Sequence, residues 1–388
     1  MQTKGIDEIL RHAGEAADVP GVVAMAATAQ GLIYSGAFGR RWLPDGPPMT
    51  IDTIFWIASM TKAITSTAAM LLVDKGELEL DGPIGKVLPE LAEPQVLEGF
   101  SASGEPKLRA AKRPITLRHL LAHTSGFGYH FLNSNLLRYL EKTGTPDPMT
   151  CKNASLNLPL SFDPGDGWEY GIGIDWAGKA IERVSGRTLQ DYFDENLFGP
   201  LGMQNTAFKL TGERRARFAG MHMRQSDGSL SQIQFELPQE PEFQMGGGGL
   251  YGTASDYLAF EQMFLREGRA NGKTLLEQET VRLMGRNQIG ALQIPKWESV
   301  IPSLSNNGEF FPGMAKKWSV AFMLNTEPVP GGRSADSMAW AGLFNTYYWI
   351  DPAKQVAGVI MTQILPFFDS KVVDLFGKFE KAIYAALD

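Results

Sequence analysis

Apolar residues recur every three or four positions over residues 6–17. Ile6, Ile9, Leu10 and Ala13 share one face, which predicts an amphipathic helix closed by Pro20. Two β-rich runs follow at 22–28 and 32–38, and the link Ala29-Gln30-Gly31 has hairpin length. The far end of the chain mirrors this order. Runs at 318–324, 344–350 and 356–362 read as strands, with Asp351-Pro352-Ala353-Lys354 as a turn. A closing helix is predicted from near Asp369, with Val372, Val373, Leu375, Phe376, Phe379, Ile383 and Leu387 at 3–4 spacing. Links this short join neighbouring strands, so the sheet is expected to be mainly antiparallel.

The expected fold is therefore α+β, with helices on both faces of a sheet built from the two chain ends. Between those ends the strand signal is weak. Helices are predicted over 117–123, 175–184 and 189–198. This divides the chain into a sheet domain, residues 1–84 and 209–388, and a mostly helical second domain, residues 85–208.

Composition narrows the functional classes. The chain has 388 residues, 44% hydrophobic and 20% charged, enough to bury a sizeable core. Lys and Arg number 36 against 43 Asp and Glu, a net charge of −7, and no basic run stands out. A nucleic-acid or anionic-membrane partner is not expected. The single cysteine, Cys151, excludes a disulfide framework and a thiolate-rich zinc site, and is expected to be inert. No run reaches the roughly 20 apolar residues of a membrane span. The opening residues bring in acids early without an apolar stretch, so no secretory leader is expected and a cytoplasmic location is the default. The pattern does not specify an oligomeric state.

The sharpest chemical signal is Ser59-Met60-Thr61-Lys62. A helix is predicted from Ser59 to Lys75, with Gly76 as its stop. Residues three apart share a helix face, so Ser59 Oγ and the Lys62 amine fall within one turn. A serine there can attack a carbonyl while free backbone N–H groups hold the oxyanion. The tetrad alone is better read as an N-capping serine beside a solvated lysine, and the rest of the chain reverses that preference.

Five further segments occur in order: Ile115-Thr116-Leu117-Arg118-His119-Leu120-Leu121-Ala122-His123-Thr124-Ser125-Gly126; Phe162-Asp163-Pro164-Gly165 with Trp168-Glu169-Tyr170; Phe198-Gly199-Pro200-Leu201-Gly202-Met203 with Thr206; Gly247-Gly248-Gly249-Leu250-Tyr251-Gly252-Thr253-Ala254-Ser255-Asp256; and Trp340-Ala341-Gly342. The likeness they carry with the Ser59 segment extends over roughly residues 20 to 360. The ordered set resembles the class C β-lactamase and penicillin-binding-protein superfamily of serine hydrolases. In the lactamases the tyrosine segment is Tyr-x-Asn and the edge-strand motif is Lys-Thr-Gly. Here they read Tyr170-Gly171-Ile172 and Trp340-Ala341-Gly342, and the latter is similar to the motif of family VIII carboxylesterases. A strand lysine would bind a substrate carboxylate, whereas Trp340 offers apolar area and one donor.

The resemblance implies Ser59 as nucleophile, Lys62 and Tyr170 as the general base and acid, and the backbone N–H groups of Ser59 and Leu343 as oxyanion hole. Reference pKa values of about 10.4 and 10 require one of the pair to be depressed. Without the strand lysine, neutral Lys62 is favoured as the proton acceptor, with Tyr170 passing the proton to the leaving alcohol. Trp340, Gly342, Tyr129, Phe127 and Phe344 are the expected substrate-binding residues. The substrate is a small to medium uncharged ester, and no metal or organic cofactor is implied.

Other readings stand beside this one. The same scaffold could act on a β-lactam, a D-amino-acid peptide or an ω-amide oligomer, could transfer its acyl group to an alcohol, or could be a catalytically silent binding protein. An α/β-hydrolase is excluded by the lack of Gly-x-Ser-x-Gly and of any histidine after His222. His119 and His123 lie four apart but lack a third ligand and read as structural. Gly246 to Gly249 lacks the Lys-Ser/Thr of a phosphate loop and reads as close backbone approach near the site.

Overall fold

Terminal helix α1 (Lys4–Glu15) leads into the hairpin β1 (Gly21–Thr28) and β2 (Leu32–Gly39), and helix α2 (Thr61–Asp74) follows the Ser59 turn. The middle of the chain carries a hairpin, β3 (Gln95–Phe100) and β4 (Pro106–Ala110), and helix α3 (Gly173–Ser185). Helix α4 (Ala254–Leu265) precedes β5 (Lys316–Trp318), β6 (Met323–Asn325), β7 (Met338–Gly342), β8 (Thr346–Asp351) and β9 (Val356–Met361), and α5 (Ser370–Leu387) closes the chain. These elements come from a computed structural model that describes residues 4–387.

The main sheet has seven strands in the order β5-β6-β7-β8-β9-β1-β2, each pair antiparallel. Both chain ends therefore meet in one sheet through the β9–β1 pairing, Met25 opposite Val359. Side chains alternate across the sheet, and β8 shows what each face meets. Tyr347 and Trp349 point to α5, with ring centroids 5.1 Å from Phe376 and 5.8 Å from Phe379. Tyr348 points the other way, 4.9 Å from Tyr257 of α4. Helix α1 lies beside α5, tied to the sheet by the Tyr34 hydroxyl donating to Asp7 at 2.8 Å.

Helix α4 was not visible in the sequence. Nearly all of its residues are buried, including Leu258, Phe260, Met263 and Phe264, so it lacks the polar stripe that marks an amphipathic helix. The hairpin β3–β4 was missed too, in a region expected to be mostly helical. The run at 318–324, expected as one strand, is two strands joined by a tight turn. Ser319 Oγ accepts from the amides of Ala321 and Phe322, which bends the chain back at Ser319–Phe322. Two predicted helices are cut short. The one at 117 ends at Leu121, two residues before His123 at φ +58°; the one at 189 becomes a π-turn at Asp194–Phe198.

Trp340-Ala341-Gly342 lies on β7, which is the third strand from the edge and not the edge strand itself. Its pairing with β6 covers Met338 and Ala339 alone, so residues 340–342 still run as a free margin.

One residue of α4 works against stability. Glu261 is fully buried and neither carboxylate oxygen has a hydrogen-bond partner, so burial pushes its pKa well above the ordinary carboxylate value. A raised folded-state pKa means stability is greatest below the unfolded value of about 4.3 and declines as pH rises towards the folded one. Glu261→Met is expected to be more stable than the parent by roughly 1–3 kcal/mol at pH 8, with the gap shrinking towards pH 4. Urea melts at the two pH values check this.

Candidate active site

Ser59 sits on a short constrained turn. Phe55 and Trp56 pair with Gly252 and Tyr251, and the Ile57 amide donates to the Leu250 carbonyl at 3.0 Å. The chain then turns through Ala58 at φ +44°, a left-handed conformation unusual for a residue with a Cβ and found where a fold holds a functional group in place. A single 3-10 turn, Ala58–Met60, carries Ser59 and feeds into α2. The predicted helix thus begins at Thr61, and Gly76 stops it at φ +70°.

Lys62 lies in the first turn of α2 with 1% of its surface exposed. Its Nζ is 3.1 Å from Ser59 Oγ, 3.0 Å from the Tyr129 hydroxyl and 2.6 Å from the Gly247 carbonyl oxygen. The amine also stands 4.6 Å from the Tyr170 ring centroid. Burial favours the neutral amine and pulls its pKa well below the ordinary lysine value, while buried Asp175 pulls the other way. A neutral Nζ keeps two donors, for Gly247 and Tyr129, and a lone pair that can accept the Ser59 proton.

The glycine run fits against this helix. Three consecutive carbonyls receive donors from the helix and the segment before it: Gly246 from Thr65 Oγ1 at 2.7 Å, Gly247 from Lys62 at 2.6 Å, and Gly248 from the Trp56 indole at 2.7 Å. The Gly247 amide donates to Asp175 Oδ1 at 2.8 Å. A Cβ at Gly247 would come within 2.6 Å of Asp175 Oδ2. The expectation of close backbone approach holds here, and side-chain crowding explains it.

Tyr170 arrives just before α3, and its hydroxyl accepts from the Trp340 indole N–H at 2.9 Å. Burial raises its pKa above the ordinary tyrosine value; its approach to Ser59 and the indole bond pull down more weakly. The protonated phenol is therefore the stable form. Ser59, Lys62 and Tyr170, scattered in sequence, come together as expected.

The other predicted residues divide. Tyr129 and Leu343 line, with Ser59, a narrow cleft whose further walls include Phe131, Met149 and Met245. Gly342 abuts the nucleophile turn, where a Cβ would come within 2.4 Å of the Ile57 carbonyl oxygen. Phe127 and Phe344 are buried elsewhere, against Trp176 and Trp56, and do not border this cleft. Trp340 is 3% exposed in a cage of Trp297, Phe310 and Trp318, with its donor taken by Tyr170.

Sequence reading missed Phe131, Met149, Met245 and Asp175. Asp175 left one signal, a lone charge in the otherwise uncharged run 170–178. His119 Nδ1 accepts from the Thr116 amide and caps the short helix Leu117–Leu121. His123 is buried 4.7 Å from the Tyr170 ring, held neutral by burial and by nearby Lys62. Burial pushes the Cys151 thiol up to about 12.

Residues 6–380 match the β-lactamase family profile. The chain belongs to the β-lactamase family. Among its relatives, the lovastatin esterase of Penicillium rubens is 31% identical over 395 residues, covering 98% of each chain. The monacolin J acid methylbutanoyltransferase of Aspergillus terreus is 31% identical over 406 residues, covering 98% of this chain and 95% of the relative. A solved structure of simvastatin synthase LovD from Aspergillus terreus, the LovD6 mutant, superposes with a TM-score of 0.86 at 32% identity over 99% of this chain and 97% of that one. This β-lactamase-family chain thus has the mixed antiparallel fold of class C-like and penicillin-binding-protein-like serine hydrolases, and sits among enzymes that cleave or transfer acyl groups. Among its described residues no helix is long and apolar enough to cross a membrane.

Two substitutions test the electrostatics of this β-lactamase-family site. Lys62→Arg keeps a cation that does not deprotonate, and is expected to lower turnover of an activated ester by at least about 10²-fold. Trp340→Phe removes the donor to Tyr170, and is expected to lower kcat by about tenfold with KM little changed. Steady-state kinetics on the purified variants measure both.

Proposed function

We propose that this protein is a carboxylesterase of the family VIII type, cleaving small to medium uncharged esters through an acyl-enzyme on Ser59. The observation that carries the reading is the buried Lys62 amine 3.1 Å from Ser59 Oγ, in surroundings that favour its neutral form. Lys62 takes the hydroxyl proton as Ser59 attacks the ester carbonyl. The amides of Ser59 and Leu343 receive the developing oxyanion. Tyr170, protonated and held by Trp340, is the route by which a proton reaches the leaving alcohol. Water then enters and the steps reverse on the acyl-enzyme.

In this reading the ester binds in the cleft beside Ser59. Residues 85–208 supply Tyr129, Phe131 and Met149 to its walls, and residues outside that range supply Ser59, Met245 and Leu343. Its walls are mainly apolar, which suits a short uncharged acyl group. Trp340 stands where a lactamase has its strand lysine, which disfavours anionic lactams. In this reading Trp340 holds Tyr170 and does not touch substrate.

A second reading is acyl transfer to an alcohol, favoured by the methylbutanoyltransferase among the relatives. It uses the same acyl-enzyme and differs in what enters after the first alcohol leaves. The two are separated by offering p-nitrophenyl acetate, butyrate and octanoate, with and without an added alcohol, beside a chromogenic cephalosporin. Short esters are expected to react with a kcat/KM at least about 10²-fold above the cephalosporin. Ser59→Ala is expected to lose at least about 10³-fold. A new ester formed faster than free acid would establish transfer as the main activity. Full turnover in Ser59→Ala would remove the acyl-enzyme.

A further inference from the structure

We infer that Asp175 is the positioning residue for Lys62, orienting its acceptor carbonyl and supplying the counter-charge to the ammonium formed when Ser59 loses its proton. The inference rests on the reading of Lys62 as general base and names the group that makes it one.

Asp175 lies in the first turn of α3 and is 1% exposed. A carboxylate so buried normally has all its oxygens hydrogen-bonded or faces a cation. Here Oδ1 accepts from the Gly247 amide at 2.8 Å and Oδ2 has no partner. The same glycine turns its carbonyl to Lys62 Nζ at 2.6 Å. One residue thus carries both contacts, an amide fixed by the acid and a carbonyl fixed on the base. The fit depends on glycine, because a Cβ there would strike Asp175 Oδ2.

The charge balance points the same way. Burial raises the Asp175 pKa and lowers that of Lys62, while each favours the ionised form of the other. The other titratable groups that feel this pair are Tyr129, Tyr170, His123 and Cys151, all of which burial holds in their neutral forms. Asp175 is then the negative charge that Lys62 meets when it becomes an ammonium ion. No atom passes between them. The proton moves from Ser59 Oγ to Lys62 Nζ, the new bond forms between Oγ and the acyl carbon, and Asp175 responds to the cation through Gly247 and through space.

The test measures the rate at which a fluorophosphonate labels Ser59 as a function of pH, a readout that needs no knowledge of the natural ester. Asp175→Asn keeps an acceptor for the Gly247 amide and removes the charge. Removing it lowers the Lys62 pKa, so the acid limb is expected to move down by about one pH unit, and the plateau rate to fall about tenfold or more. Gly247→Ala keeps the charge and displaces the carboxylate. It is expected to slow labelling at every pH with a smaller movement of the limb, and it serves as the test should Asp175→Asn not fold. A folded Asp175→Asn with the parent's limb and plateau would overturn the inference, as would Gly247→Ala labelling at the parent's rate throughout. Absence of labelling in the folded parent would instead overturn the Ser59 reading on which it stands.

Discussion

The chemistry proposed for this protein depends on an amine kept out of water. Lys62 surrenders nearly all its hydration and receives in return one carbonyl, one phenol and one serine hydroxyl. A lysine in water at neutral pH is a cation and cannot accept a proton. The fold favours its neutral form by burying it at the start of a helix that is itself almost wholly buried, with the Tyr129 and Tyr170 ring centroids 5.1 and 4.6 Å from the amine. Desolvation of one group in this way is unfavourable unless its remaining polar atoms are met, and the bond to Gly247 answers that need.

Much of the surrounding architecture serves that placement. The glycine run brings three carbonyls in a row against residues of the nucleophile segment and α2, which no sequence with side chains at 247 or 249 could do without displacement. The left-handed backbone at Ala58 sets Ser59 on its turn. Trp340 spends its one donor on Tyr170, a neutral indole where the lactamase pattern has a cation. A neutral donor stabilises phenolate less than an ammonium would, so the division of labour shifts towards the lysine.

The outline of the fold was readable because its sheet strands and terminal helices carry clear periodicity and short links. Where periodicity fails, so does the reading. Helix α4 is apolar all round and looks like nothing in particular. The 318–324 run looks continuous because a serine side chain, not a glycine or proline, makes the turn. The order of the motifs singled out Ser59, Lys62 and Tyr170, which the fold brings together. The cleft walls were not legible, since Phe131, Met149 and Met245 are ordinary apolar residues until the chain folds them past Ser59. Phe127 and Phe344 show the converse: closeness in sequence to a motif does not place a ring in the cavity. Asp175 was lost among its apolar neighbours, although a single acid in such company is itself a clue.

The contact between Gly342 and the Ile57 carbonyl locks the margin of the sheet to the turn that bears Ser59. The two walls of the cleft are therefore unequal. On one side, Leu343 follows directly on the strand whose Gly342 packs against the turn bearing Ser59, and a ligand that wedged them apart would have to displace strand end and turn together. The opposite side is formed by irregular chain around Phe131 and Met149. Changes in the size of group accommodated should thus accumulate on the irregular side during divergence, leaving the sheet side as an inherited anvil.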